Sequence, residues 1–396
     1  MQEVTLTTRR KETILVITDW FYPGFKAGGP IRSCYNLVTQ LSNDFDVFVY
    51  TSDTDHGDAA PYPDISSDKW LTNIVENARI YYASKSKFSL GKFSREICGL
   101  NADVVYLNHM FSPVYVIFPL YLKWRGKLKS KVVLCPRGAL YDSALAIKPA
   151  KKKIFLQVFR WLSIDKLIDF HATNDREKAS ILALFPKAKV VVADNLPAAV
   201  QPSFKGLAKT SGSLKAIYVA RIHPIKNLLL LLQIMKNIST GNIELTIVGP
   251  VEDKNYWKLC EEVIKALPIN IEVKFLGAVS NTEIQELIIT NHLSVLLTEG
   301  ENFGHSIFES FLAGRPVLIS DQTPWQLLYE NRLGWEVPLT NVGLIQEKLA
   351  QAIQWSQQDF DIFSRASWQF ANSFINNRDK LAPYYPLFLY DKESSR

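Results

Sequence analysis

Cysteine is scarce in this chain: four in 396 residues, Cys34, Cys98, Cys135 and Cys260, with no two in a C-x-x-C pair. That scatter argues against a structural zinc site or a disulfide framework and fits a reducing compartment. Neither G-x-G-x-x-G nor G-x-x-x-x-G-K-[ST] occurs, which disfavours a dinucleotide enzyme and a P-loop NTPase. An uninterrupted membrane span is missing too. The longest apolar stretch, Val104 to Leu122, is broken by Asn108, His109, Pro113 and Pro119, so a buried strand followed by an apolar helix is expected there. Arg9, Arg10 and Lys11 precede an early apolar run, but Asp19 cuts it short and no small-residue cleavage site follows, so no signal peptide is read.

What the chain does have is apolar content, 47% of its residues, with a net charge of +6. At this length two domains of about 200 residues each are expected. The charge is uneven. From Tyr121 to Arg160 there are eleven Lys or Arg against one acid, Asp142. No recognised nucleic-acid module accompanies this basic stretch, and nucleic acid is discounted as a partner. Within it, Pro149 onward reads as a Lys-rich helix with Lys151, Lys152 and Lys153 beside Ile154, Phe155, Val158, Phe159 and Leu162 at helical spacing. Two readings stay open: an interfacial helix on anionic lipid headgroups, and a core helix with a solvated basic face.

Thr13 to Thr18, continuous and β-branched, reads as a buried parallel strand, and further strands read at Phe45 to Tyr50, Asp103 to Leu107, Lys131 to Leu134, Phe170 to Thr173 and Lys189 to Val192. After the first of them, Gly28-Gly29 precedes a helix carrying Cys34, Leu37, Val38 and Leu41 on one face; the pair is either a tight turn or a close-approach loop for an anion. Asp53-Thr54-Asp55 could bring Mg or Mn to a diphosphate, but its polar setting, TSDTDHGDAAPYPD, points to solvated loop. Ala59 to Lys92 shows little periodic signal. His109 closes a parallel strand, where it either packs in the core or offers its ring nitrogens to sugar hydroxyls.

The composition turns to Pro, Gly, Ser and Lys from Leu196 to Ser213, marking a boundary. The expected division is a first domain over 1–195, a linker over 196–213, a second domain over 214–374 and a final segment over 375–396. In the second domain, strands are expected at Leu214 to Ala220, Ile243 to Val248 and Val273 to Leu276. Arg221 and Lys226 flank the first strand-to-helix junction, either as ordinary loop charges or as cations facing a diphosphate. The organising stretch is TEGENFGHSIFESFLAGRPVLIS, Thr298 to Ser320: a loop and a helix starting near Ser306, between two apolar strands. Glu301 lies in the loop and Glu309 in what reads as the first helical turn. Ser306 to Glu309 has the form of a capping box; alternatively the helix end holds a phosphate while the carboxylates take ribose hydroxyls.

Glu301, Phe303, Gly304 and Glu309 resemble the acidic pair, seven residues between its members, of the retaining family-four glycosyltransferases. Thr323-Pro324-Trp325 with Gly334-Trp335, and Pro136-Arg137-Gly138-Ala139-Leu140 before the Lys-rich helix, are similar to the polysaccharide-biosynthesis branch; Asn302 departs, since many members carry Gly there. The resemblance implies an α/β chain of two Rossmann-like doubly wound domains facing across a cleft, the GT-B arrangement. It implies a metal-independent enzyme, without cofactor, that moves a sugar with retention from a nucleotide-diphosphate donor to a glycan or polyprenyl-diphosphate-linked acceptor in surface polysaccharide or lipopolysaccharide synthesis. Glu301 and His109 would be catalytic. Gly28, Gly29, Arg221, Lys226, Phe303, Gly304, His305, Ser306 and Glu309 would bind donor, and Arg137, Lys151, Lys152 and Lys153 would lie on the acceptor or membrane side. The final segment, with Tyr384, Tyr385, Phe388 and Tyr390, would fold back on the first domain. A cytoplasmic protein, peripheral on the inner membrane face, is the expected setting. A hydrolysing sugar-nucleotide 2-epimerase and a non-catalytic nucleotide-sugar-binding subunit remain the other readings.

Overall fold

The structure, a computed structural model, describes residues 10–146, 149–198 and 203–389. Arg9, Lys148, Tyr390 and part of the 196–213 linker lie outside the described residues. The chain divides into two compact units, one of Met1–Leu196 with Arg378–Arg396 and one of Pro197–Asn377.

Among the described residues unit 1 holds eight strands: β1 Thr13–Ile17, β2 Asp46–Ser52, β3 Trp70–Leu71, β4 Ala78–Ala83, β5 Val104–Asn108, β6 Lys131–Cys135, β7 Asp169–Ala172 and β8 Lys189–Val192. They lie in the order β3-β4-β2-β1-β5-β6-β7-β8, all parallel except β3 against β4. Both faces are covered, as a parallel sheet requires: Leu15 and Ile17 of β1 pack in one apolar cluster and Ile14 and Val16 in another. The C-terminal residues complete the second cluster. Tyr384, Leu387 and Phe388 are buried in it, and the Tyr384 hydroxyl donates to the Asp194 carbonyl at 2.6 Å.

Unit 2 has β9 Ser213–Val219, β10 Asn242–Val248, β11 Ile271–Gly277, β12 Leu293–Leu296, β13 Val317–Ser320 and β14 Gly334–Val337, in the parallel order β11-β10-β9-β12-β13-β14. A fully buried arginine ties its parts together. The Arg315 guanidinium donates to the carbonyls of Ile289, Gly314 and Lys205 and to Ser364 Oγ, so the charge is satisfied by carbonyl dipoles without a carboxylate.

The two sheets share one plan. Strands added after β1 run outward through β2 and β4, and the chain then returns to the other side of β1 with β5; likewise β9, β10 and β11 run one way before β12 starts the other. Each unit therefore has a switch point, between β1 and β5 and between β9 and β12. There the loops diverge at the carboxyl ends of the strands and leave room for a ligand.

Several expectations need correction. β3, β4 and β14 escaped the sequence reading, β3 and β4 inside the stretch without periodic signal. Asp53, Thr54 and Asp55 are buried rather than solvated: Asp55 Oδ2 accepts from the backbone N–H groups of Phe25 and Lys26 at 2.8 and 3.1 Å, while Asp53 accepts from Ser67 Oγ and Lys85 N. Short carboxylates reach backbone donors, so a polar loop can fold inward around them. The helix Pro149–Trp161 divides the residues expected at one spacing between two sides. Leu156 and Phe159 face the core with Phe155 and Leu162 packed against them, while Ile154 and Val158 point outward with Trp161.

Candidate functional site

In unit 2 the β9 and β12 loops are stitched together at their carboxyl ends. The Ile225 carbonyl, in the tight turn Pro224–Lys226, accepts from Glu299 N at 2.8 Å and from Thr298 Oγ1 at 3.0 Å. On the far side Glu301 N donates to the Gln322 carbonyl at 3.2 Å, and Trp325 Nε1 donates to the Phe303 carbonyl. The loop is thus held from both flanks before any ligand arrives. Across the stitch, Lys226 Nζ meets Glu301 Oε1 at 2.5 Å, with 12% and 19% of the two side chains exposed. One of the three ammonium protons is committed to Glu301.

Glu301 leads into the helix His305–Leu312. Its N-cap is Gly304, at φ 74°, where an added Cβ would come within 2.7 Å of Ile307 Cδ1. Gly304 brings no side chain to cap the first turn, and the backbone N–H groups there place partial positive charge at the helix start. The capping box is not formed: Ser306 is the second helical residue, not the cap, and Glu309 stands beyond the first turn. The helix starts one residue early because Gly304 adopts the left-handed conformation that serine avoids. Phe303 is buried against His305, Phe308 and Trp325, with ring centroids 4.9 to 5.8 Å apart.

Arg221, directly after β9, turns elsewhere. Its guanidinium pairs with Glu252 in the loop after β10, both side chains being substantially exposed. The sequence reading missed Glu252, which carries no motif and comes near only because Ile222 bridges to Val251. Gly249, legible in sequence only as the end of the strand Ile243 to Val248, has its backbone against Ala220 so closely that a Cβ would sit 2.0 Å from the Ala220 oxygen.

Unit 1 carries the remaining candidates. Gly28, at φ 67°, caps the helix Gly29–Leu41, and the Asp55 carboxylate organises the two backbone positions Phe25 and Lys26 just before it. His109, at φ 96°, follows β5; its Nδ1 accepts from Phe111 N at 3.3 Å, which puts the ring proton on Nε2. Burial, with help from the charges of Lys152 and Arg137, pushes His109 down to about 4, so it is a neutral donor at pH 7.

Arg137 is employed inside the unit rather than at its surface. It donates to Asn108 Oδ1 at 2.8 Å, to Asn195 Oδ1 and to the Tyr106 hydroxyl at 3.1 Å. Glu177, unmarked by any motif, holds the next residue: it accepts from Gly138 N and from the N–H and hydroxyl of Thr173. Lys152 also turns inward, to the Ala144 carbonyl at 2.6 Å and over the Phe111 ring, whereas Lys151 and Lys153 are exposed.

Two more histidines are buried and neutral. His171 Nε2 donates to the Ala193 carbonyl while Nδ1 accepts from Tyr106, and burial holds the ring at about 3; His292 Nε2 donates to the Ala208 carbonyl while Nδ1 accepts from Lys215 N, and burial holds it at about 4. All three histidines bind protons more weakly folded than unfolded, where the value is about 6.5. Their neutral forms therefore cost nothing above pH 7, and stability is lost as pH falls from about 6.5 toward 4. Each contributes a slope of about 1.4 kcal/mol per pH unit. Urea melts between pH 4.5 and 7.5 should show a steep acid-side loss, larger in unit 1 with His109 and His171. A flat profile would contradict the buried neutral assignment.

Over nearly its whole length the chain is similar to three solved structures. Alr3699/HepE from Anabaena in complex with UDP-glucose has a TM-score of 0.66 and 14% identity, over 95% of this chain and 99% of that one. Sucrose-phosphate synthase from Thermosynechococcus elongatus has 0.66 and 16%, over 96% and 98%. WaaG, a glycosyltransferase involved in lipopolysaccharide biosynthesis, has 0.59 and 12%, over 96% and 100%. The fold is that of the GT-B glycosyltransferases. Residues 200–358, within unit 2, match the family model described as glycosyl transferases group 1, consistent with a family-four glycosyltransferase. That segment contains Arg221, Lys226, Glu301 and Glu309. No curated protein matches the chain.

Proposed function

We propose that the chain is a retaining glycosyltransferase that moves a sugar from a nucleotide-diphosphate donor to a glycan or lipid-linked acceptor in surface polysaccharide synthesis. The observation that carries this reading is the Lys226–Glu301 pair, set at the β9/β12 switch point one loop before a helix start whose N-cap is glycine. The family match over the same segment, and the UDP-glucose bound by the Anabaena neighbour, support a nucleotide sugar as donor.

The chemistry follows from charge. Breaking the sugar–phosphate bond leaves the anomeric carbon cation-like and adds negative charge to the departing diphosphate. The two uncommitted ammonium protons of Lys226 and the first-turn N–H groups would take up that charge without a metal, each such donor being worth about 3 kcal/mol in comparable sites. Glu301 would orient Lys226 and the sugar, and Glu309 the ribose. Arg221 would assist only by leaving Glu252. Retention would arise by front-face displacement, with the donor phosphate accepting the acceptor's proton. In EDTA, turnover should be undiminished and the anomeric configuration by NMR should match the donor's; loss of turnover restored by Mn, or an inverted product, would defeat the mechanism.

A membrane surface as partner rests on the helix Pro149–Trp161. Ile154, Val158 and Trp161, spaced i, i+4 and i+7, are 61%, 45% and 83% exposed, and Lys151, Lys153 and Arg160 are exposed on the same helix. At about 100° per residue the three apolar groups form one outward stripe with cations on both sides, which suits a helix lying on anionic headgroups. Among the described residues no helix is long and apolar enough to cross a membrane. Each cation near such a surface adds about 1 kcal/mol. The chain should float with phosphatidylglycerol vesicles and not with phosphatidylcholine alone, and Trp161→Ser should reduce flotation severalfold; equal flotation with both lipids would remove this partner. WaaG's part in lipopolysaccharide biosynthesis supports an acceptor of that class.

A further inference from the structure

Among the described residues the sheet edges differ in how much backbone they offer. The sheet of unit 1 ends on β3, two residues long, and β8, four; that of unit 2 ends on β14, four, and β11, seven. Short edges give a second chain little to pair with, whereas β11 is long enough to receive one. It also carries apolar side chains in water. Phe275 and Leu276 are 39% and 46% exposed, the Phe275 ring centroid lying 4.3 Å from that of Trp257 on the helix Lys254–Lys265.

The ladder fixes which groups face out. Ile243 N donates to the Asn270 carbonyl at 2.9 Å, with Ile243 opposite Ile271. In a parallel pair that pattern turns the backbone of Glu272 and Lys274 toward β10, and turns the N–H and C=O of Val273 and Phe275 outward together with the Ile271 carbonyl. The Ile271 N–H is taken by the Pro268 carbonyl at 3.0 Å. Side chains alternate along the same strand. Ile271 is buried and Val273 packs against the core, while Glu272 and Lys274 stand in solvent on the other face. Lys274 Nζ lies 3.0 Å from Glu244 Oε1 and 3.3 Å from Glu272 Oε1.

A lysine on an exposed edge ordinarily discourages pairing. The glutamate two residues before it changes the outcome, because antiparallel pairing with a second copy reverses the order of the two. Outward-facing residues pair with outward-facing ones, so the twofold axis passes through one residue and its own copy. An axis at Glu272 or at Lys274 would set that charge directly against itself, which opposes pairing. An axis at Phe275 would need Gly277, which at φ 68° has left the extended conformation. An axis at Val273 sets Glu272 against Lys274 of the second copy on both sides, and Ile271 against Phe275.

We propose that unit 2 forms a twofold dimer with a second copy of this chain through β11, paired antiparallel about Val273. The Val273 N–H and C=O groups are exchanged between the copies, and Phe275 N–H donates to the Ile271 carbonyl of the second copy. One sheet then runs through both copies, with the Glu272–Lys274 pairs selecting the register. This proposal is independent of the transferase reading.

The test is sedimentation equilibrium of the full chain over a rising concentration series, with thermal melts in parallel. The wild type should be a dimer. Glu272→Lys, a change in solvent that sets lysine against lysine across the axis, should raise the dimer dissociation constant tenfold or more at an unchanged melting temperature. Glu272→Lys combined with Lys274→Glu makes the edge self-complementary again and should restore the dimer. A monomeric wild type, a dimer that Glu272→Lys leaves intact, or a double variant that stays as dissociated as the single one overturns the proposal.

Discussion

Lys226→Ala should lower sugar transfer by about two to three powers of ten, the loss expected when one preorganised donor to a departing anion is removed. Lys226 is only 12% exposed and faces Glu301, so the substitution has two consequences that must be separated. It removes the cation the diphosphate needs, and it leaves a half-buried carboxylate without its partner, which costs about 3 kcal/mol or more of stability when a buried pair is broken from one side. The double variant Lys226→Met with Glu301→Gln removes both charges together. It should recover most of the lost stability and none of the transfer, because the stability deficit came from an orphaned charge and the catalytic deficit from a missing donor. A single Lys226→Ala variant with wild-type transfer would take the residue out of the mechanism.

The second large effect is structural. Gly249 ends β10 at φ 142°, and a Cβ there would meet the Ala220 oxygen at 2.0 Å and its carbonyl carbon at 2.6 Å. Both are backbone atoms of the neighbouring strand end, which no rotamer change can move aside. Gly249→Ala should destabilise unit 2 by about 3 kcal/mol or more, in the range kept for strain at a special backbone position. It should also pull apart the ends of β9 and β10, from which Arg221 and the turn bearing Lys226 emerge. Gly277→Ala is the matched control. It sits at φ 68° with nothing within 4 Å of the added carbon, so only the left-handed conformation itself is penalised, about 1 kcal/mol. Thermal melts of the two variants should differ clearly; equal melts would mean that the close approach of the strands is not what glycine serves.

These two predictions also mark where the sequence was informative. The loop and helix from Thr298 to Ser320 were legible because glycines, an apolar strand on each side and the spaced carboxylates fall within one local stretch. The exact helix start was not, since a serine three before a glutamate has the form of a cap and only the backbone angle at Gly304 decides otherwise. β4, ARIYYA, carries an arginine at its second position and a single β-branched residue, so its strand character comes from pairing with β2 rather than from pattern. Asp55, Glu177 and Glu252 act on residues 30, 39 and 31 positions away, through Phe25, Gly138 and Arg221. No spacing rule reaches that far. Arg137 and Lys152, expected from the resemblance on the acceptor or membrane side, donate to an amide oxygen and a backbone carbonyl of their own unit, and Arg315, which no motif marks, is received by backbone carbonyls in the same way.

The most direct test of the central claim, that the β9/β12 switch point holds a diphosphate, is calorimetric titration of the full chain with the nucleoside diphosphates in turn, UDP first, in wild-type and Lys226→Ala protein. At least one should bind the wild type, and Lys226→Ala should weaken it tenfold or more at unchanged melting of unit 1. Binding that the substitution leaves intact, or no binding of any nucleoside diphosphate to the wild type, would contradict the claim.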